Sequence, residues 1–181
     1  LVGHRVTRSA VWIERALASA TSNLEHPSNE LAVGTPGTLL AAVALHEASG
    51  DPRLREVAAQ SRARVLARLR FEPEHGCKLW TQAFGATTKM IGLAHGFAGN
   101  ACALIRAGAS AQLSSDVERT LDATARIEDG LANWPQSVGP ASPGREAMLV
   151  QICHGAPGVI VALSRLAPRP GSRLEELLCM A

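Results

Sequence analysis

Three times in this chain a glycine, two further residues and a second glycine open an apolar run, and this repeat limits the possible folds more than any other feature. Val33-Gly-Thr-Pro-Gly37 leads into TLLAAVAL, His95-Gly-Phe-Ala-Gly99 into NACALIRA, and His154-Gly-Ala-Pro-Gly158 into VIVALSRL. The leading glycines Gly34, Gly96 and Gly155 stand 62 and 59 residues apart. That period exceeds most solenoid repeats and suits a long helical hairpin with its loops. Amphipathic helices are expected in between. Asp51-Pro52 caps one that runs to Leu69, with Leu54, Val57, Ala58, Val65 and Leu69 on one face and arginines on the other. Ser115-Asp-Val-Glu118 reads as a capping box that opens a second, with Val117, Leu121 and Ile127 at helical spacing, while Trp12, Ile13 and Leu17 suggest a third.

Apolar small-residue helices alternating with charged amphipathic ones are what an inner and an outer layer require. The expected fold is therefore all-α, as a double-layered ring of helical hairpins or an open solenoid of helix pairs, between which periodicity cannot choose. Composition agrees: aromatic residues make up 3% and tyrosine is absent, against 46% hydrophobic residues overall. The segments 71–88 and 134–146 are too rich in proline, glycine and polar residues for helix and read as connections within one domain. A net charge of +2, with the basic residues scattered, gives no reason to expect nucleic acid or a membrane surface as partner. Lacking a membrane-span pattern or a signal-peptide core, the chain is expected to be cytoplasmic. It begins at Leu1 rather than methionine and stops within an apolar helical pattern, so residues 1–181 read as part of a single domain truncated at both ends.

Aligning the repeats on their glycines isolates the candidate chemistry. Val33, His95 and His154 stand one position before the first glycine, and Ala32, Ala94 and Cys153 two before. Reactive residues thus replace inert ones at the inner-helix N-termini, where unpaired backbone amides and the helix dipole favour anions, a metal-binding thiolate among them. Cys153 is the best metal-ligand candidate of the four cysteines, with His154 and His95 as possible neighbours. Cys102 and Cys179, each within a helical pattern, are expected to be packing residues, Cys77 a surface or structural residue, and His26 and His46 solvated or complementing a helix dipole.

Gly92-Leu-Ala-His-Gly-Phe-Ala-Gly99, Cys153-His-Gly-Ala-Pro-Gly158 and Gly34-Thr-Pro-Gly37 resemble successive signature segments of the lanthionine synthetase C-like family, and Trp80-Thr-Gln82 and Asn133-Trp-Pro135 resemble its bacterial members. The resemblance covers most of the chain. It implies an α/α toroid around a zinc ion, and a cyclase that adds a cysteine thiol, or in animal relatives glutathione, to dehydroalanine or dehydrobutyrine in a dehydrated peptide. It further implies Cys153 as a zinc ligand, His95 as the cavity acid/base and Glu30 as a cavity carboxylate, although a glutamate before a helix is more often a first-turn charge. Two departures stand out. The family's second Cys-His-Gly segment, which supplies two further zinc ligands, does not occur within these residues, and Ile152 replaces the tryptophan that precedes the zinc cysteine. With one of three protein ligands, a tight catalytic zinc site is not expected from this chain alone. A non-catalytic peptide-binding scaffold is the alternative. Glycosidase and terpene-cyclase toroids fit worse, because they need paired carboxylates or an aspartate-rich, aromatic-lined cavity.

Overall fold

Proline, an acidic cap and a glycine stop mark the helices of the first repeat. In the computed structural model, which describes residues 9–83, 87–108, 110–139, 148–166 and 168–181, Pro36 lies in the first turn of a helix that ends on Gly50, a left-handed residue with φ 73°. Asp51 then caps the next helix, its side chain accepting from the Arg53 amide, and Pro52 is that helix's first residue. In chain order the helices are α1 (Val11–Ser22), α2 (Thr35–Ser49), α3 (Pro52–Ala67), α4 (Phe97–Arg106), α5 (Ala111–Thr124), α6 (Ala156–Leu163) and α7 (Arg173–Met180). Three antiparallel hairpins interrupt them: β1 (Arg70–Glu72) with β2 (Cys77–Leu79), β3 (Gln82–Ala83) with β4 (Thr87–Thr88), and β5 (Arg126–Glu128) with β6 (Leu131–Asn133). The fold is all-α in two rows. The three glycine-led helices pack in sequence, α2 on α4 and α4 on α6, while α1 and α3 pack together behind α2, and α5 packs against β2 and α7. None of the described helices is long and apolar enough to cross a membrane.

The rows meet over a core that includes Leu39, Leu54, Trp80, Phe97, Leu104, Leu121 and Trp134, all fully buried. Both tryptophans bring a polar edge into that core and place it on a helix end. Trp80 Nε1 donates to the Val65 carbonyl at 2.7 Å and Trp134 Nε1 to the Leu121 carbonyl at 2.9 Å, satisfying acceptors in the last turns of α3 and α5. The arginine face of α3 reaches back to α1 and the turn after it: Arg53 pairs with Glu14 and Arg64 with Glu25.

Glycine is required where the chain folds back onto each inner helix. A Cβ placed on Gly34, Gly96 or Gly155, or on Gly37, Gly99 or Gly158, would lie 1.9–2.5 Å from the carbonyl oxygen six positions earlier in the chain. Such contacts are impossible, so any side chain there would pry the preceding loop from its helix.

Several expectations change. The second amphipathic helix begins at Ser110, whose side chain accepts from the Leu113 amide, rather than at Ser115. Ser115 falls inside α5 because Leu113, Val117 and Leu121 share one buried stripe that extends a turn further upstream. Ile127 belongs to β5 and is exposed. The segment 71–88, expected to be a non-helical connection, is that and carries short paired strands; residues 84–86 of it, and 140–146 of the second connection, lie outside the described residues. Trp12 is exposed beneath the Arg15 guanidinium, 5.3 Å from its ring centroid, while Ile13 and Leu17 are buried as expected. Cys179 is exposed rather than packed, because Leu174 and Leu177 form the inner face of α7.

Gly99→Ala is expected to lower stability by about 1–3 kcal/mol through overpacking, read as a fall in the urea unfolding midpoint. An unchanged midpoint would show that the loop ahead of α4 can yield at no cost.

Candidate functional site

The turn ahead of α2 carries a fully buried carboxylate, Glu30, into the second repeat. Backbone and amide contacts hold that turn. The Ala32 amide donates to the Ala94 carbonyl at 3.1 Å, and the Asn29 carbonyl accepts from Gln82 Nε2 at 3.1 Å and Asn100 Nδ2 at 2.8 Å. Arg68, the residue that ends α3, donates through Nη1 to the His26 carbonyl and to Asn29 Oδ1. Glu30 Oε2 consequently lies 2.6 Å from His95 Nδ1, an ion-pair distance between residues 65 positions apart. With Glu30 as a carboxylate, which only accepts, His95 Nδ1 is the donor in this contact, and in a neutral ring the lone pair is then on Nε2. The His95 side chain is 34% exposed, so that nitrogen belongs to a ring solvent can reach.

The third repeat brings the other candidates alongside. A Cβ on Gly92 would lie 1.9 Å from the Cys153 carbonyl oxygen, so the backbone leading to His95 runs directly against Cys153. The rings of His95 and His154 stand 5.9 Å apart, centre to centre, and Cys153 is half-buried beside them. Gly155 adopts φ 96°, the left-handed conformation that lets the chain turn from His154 into α6. Asn133 fixes this turn from β6: its Oδ1 accepts from the Ala156 amide at 2.7 Å, in place of a local cap. Glu30, His95, Cys153 and His154 are thus neighbours at the N-termini of the inner row. Among the described residues, however, no three histidine, cysteine, aspartate or glutamate side chains converge as a metal site would require.

Gln136 is a site residue that the sequence reading missed. Its Nε2 lies 3.4 Å from His154 Nε2, and its backbone carbonyl accepts from the Ile91 amide, tying together the loops that precede His95 and Cys153. It also lines a groove of about 860 Å³ running along the β5–β6 hairpin past Ile127, Leu131 and Met148. A signal was present: Trp134-Pro-Gln136 repeats the Trp80-Thr-Gln82 pattern, and Gln82 bridges the corresponding loops by accepting from the Met90 amide and donating to Asn29.

The remaining candidates lie elsewhere. His46 stands in the last turn of α2 with Nδ1 2.9 Å from the Asp51 carbonyl, and His26 Nδ1 accepts from the Ser28 amide. Cys77 is buried in β2, and burial pushes its thiol up; Cys102 in α4, half-buried, is pushed up for the same reason.

The family model described as lanthionine synthetase C-like protein matches residues 9–180.

Because a raised thiol holds less of the reactive thiolate at any given pH, iodoacetamide at neutral pH is expected to label exposed Cys179 before Cys77 and Cys102, with the latter two gaining reactivity as pH rises. Peptide mapping of the alkylated protein checks the order.

Proposed function

We propose that this chain, which belongs to the lanthionine synthetase C-like family, contributes the acid/base half of a site that adds a thiol to dehydroalanine or dehydrobutyrine in a dehydrated peptide. The observation that carries this reading is the contact of Glu30 with His95 across two repeats, at 2.6 Å and beside the Cys153-His154 turn. In such an addition sulfur bonds to the β-carbon, the carbon–carbon π bond breaks, and the thiol proton is delivered to the α-carbon. Atoms balance without a further reactant. His95 Nε2 suits both transfers, taking the proton from sulfur and returning it to the enolate carbon, while Glu30 holds the tautomer and compensates the imidazolium that forms between them. The groove that Gln136 lines offers an extended peptide apolar contact through Ile127 and Leu131.

Zinc would activate the attacking thiol in a complete family site, and Cys153 is the ligand this chain offers. The described residues do not fit the ion by themselves, since no third donor converges on Cys153. The steps above therefore rest on the chain's own side chains. The same observation favours a second reading, in which the chain binds dehydrated peptide at this rim without catalysing addition.

The two readings separate in one assay. The chain is incubated with a dehydroalanine peptide and glutathione, and peptide mass is followed. Any addition of the thiol is expected to run through His95, with His95→Asn lowering the rate on the order of 10²–10⁴-fold and Glu30→Gln lowering the rate while peptide binding persists. Peptide binding without any mass gain would select the scaffold, and addition unaffected by His95→Asn would remove the histidine from the mechanism. Zinc analysis is expected to show less than one ion per chain, and Cys153→Ala to abolish what is bound.

A further inference from the structure

Two arginines of α3, Arg55 and Arg62, stand seven residues apart on one face of the helix, with Ala58 and Ala59 between them. The alanines leave space that longer side chains would fill. Across that space lies the far end of the inner row. α2 begins at the rim with Thr35 and carries His46 and Glu47 in its last turn, about 18 Å further along its axis, and α4 ends on Arg106. Arg55, Arg62, Arg106, Glu47 and His46 line one pocket of about 440 Å³, together with Val43, the two alanines and Ala107. This pocket therefore lies at the opposite end of the inner helices from Glu30 and His95.

The charges in the pocket do not balance. Arg106 grips Glu47 through both carboxylate oxygens and holds that carboxyl below its ordinary range, with Arg165 and His46 adding to the field. Glu47 therefore stays ionised and offsets one guanidinium, which leaves Arg55 and Arg62 without a counter-charge. Among the described residues the Arg62 side chain meets only the Gly108 carbonyl, 3.3 Å from its Nη2, and the Arg55 side chain has no hydrogen bond or ion pair. Glu56, next to Arg55 in the chain, accepts instead from Gln60 and does not line the pocket, and His46 Nδ1 is engaged by the Asp51 carbonyl. The other arginines of α3 differ. Arg53 and Arg64, on the side toward α1, each meet a carboxylate, Glu14 and Glu25. Guanidinium groups gathered without an acid repel one another, and an anion entering between them relieves that repulsion.

We propose that this pocket is a second binding site, which takes the phosphate group of a small phosphate monoester. Two uncompensated guanidinium groups match the nearly double negative charge such a group carries at neutral pH, and their planar forks suit its oxygens. The pocket falls within the size range of small-molecule sites and exceeds what a phosphate alone fills, so the organic part of the ester lies against Val43 and the alanines. A membrane surface fits less well, because none of the exposed large hydrophobic side chains among the described residues lines this pocket. The site is independent of thiol addition, since it uses neither Glu30 nor His95.

Isothermal titration calorimetry of the 181-residue chain with phenyl phosphate tests this, with phenol, inorganic phosphate and phosphatidylcholine vesicles carrying phosphatidic acid as comparison ligands. Phenyl phosphate is expected to bind, inorganic phosphate to bind more weakly, and phenol and the vesicles not to bind. Arg55→Ala is expected to weaken binding of the ester about tenfold or more, with an unchanged urea midpoint because the side chain has no partner to lose. Arg55→Gln takes its place if that midpoint falls. Arg119→Ala, which removes an exposed arginine of α5 outside the pocket, is expected to bind as the wild type does. A wild type that ignores the ester, an Arg55 variant that binds it undiminished, or an equal loss in the Arg119 variant would each overturn the proposal. So would inorganic phosphate binding as tightly as the ester, or a preference for the vesicles.

Discussion

A carbonyl oxygen packed against a glycine α-carbon, six residues further along the chain, is the contact on which the inner row depends. It recurs at both glycines of every repeat, and it folds the incoming loop flat against the start of its helix. Two consequences follow. The residues just before the first glycine, His95 and His154 among them, are brought to one rim at the helix N-termini. The second glycine, bare on its outer side, becomes the seat for Leu31 or Leu93 of the preceding repeat. Local backbone geometry and inter-repeat packing are thereby the same constraint, and an alanine at Gly99 disturbs both.

The small hairpins carry this order outward. β1–β2 and β5–β6 each follow an outer helix, and each is succeeded by a tryptophan that donates into the last turn of that helix. Two residues beyond each tryptophan a glutamine reaches the inner row, Gln82 toward Asn29 and Met90, Gln136 toward His154 and Ile91. The tryptophan side chains are apolar enough to fill the space between rows and polar enough to occupy a helix-end acceptor. Outer helices therefore position site residues through two short links, without contributing a reactive group of their own to the rim.

Chemistry is divided among repeats for the same reason. A buried carboxylate is costly unless a partner meets it, and Glu30 finds His95 only because the first repeat's loop lies on the second repeat's rim. No single hairpin holds a site. Glu30 supplies a carboxylate, His95 an imidazole, and the third repeat a thiol and a second imidazole. A break in stacking between the first two repeats would thus separate Glu30 from His95.

Much of the fold was legible in the sequence because its determinants are local. Glycine pairs, Asp51-Pro52 and apolar periodicity act within a few residues, so the inner helices, the first amphipathic helix and the two-layer arrangement could be read directly. The cap of α5 could not, since Ser115-Asp-Val-Glu118 satisfies the capping pattern and only burial of Leu113 decides for Ser110. Aligning the repeats also singled out His95 and Cys153 as rim residues. What tertiary structure alone decided were the pairings: Glu30 with His95 rather than with its own helix, Asn133 as the cap of α6, and Gln136 beside His154. Each joins residues far apart in sequence, and no local propensity encodes a contact whose partner is supplied by another repeat.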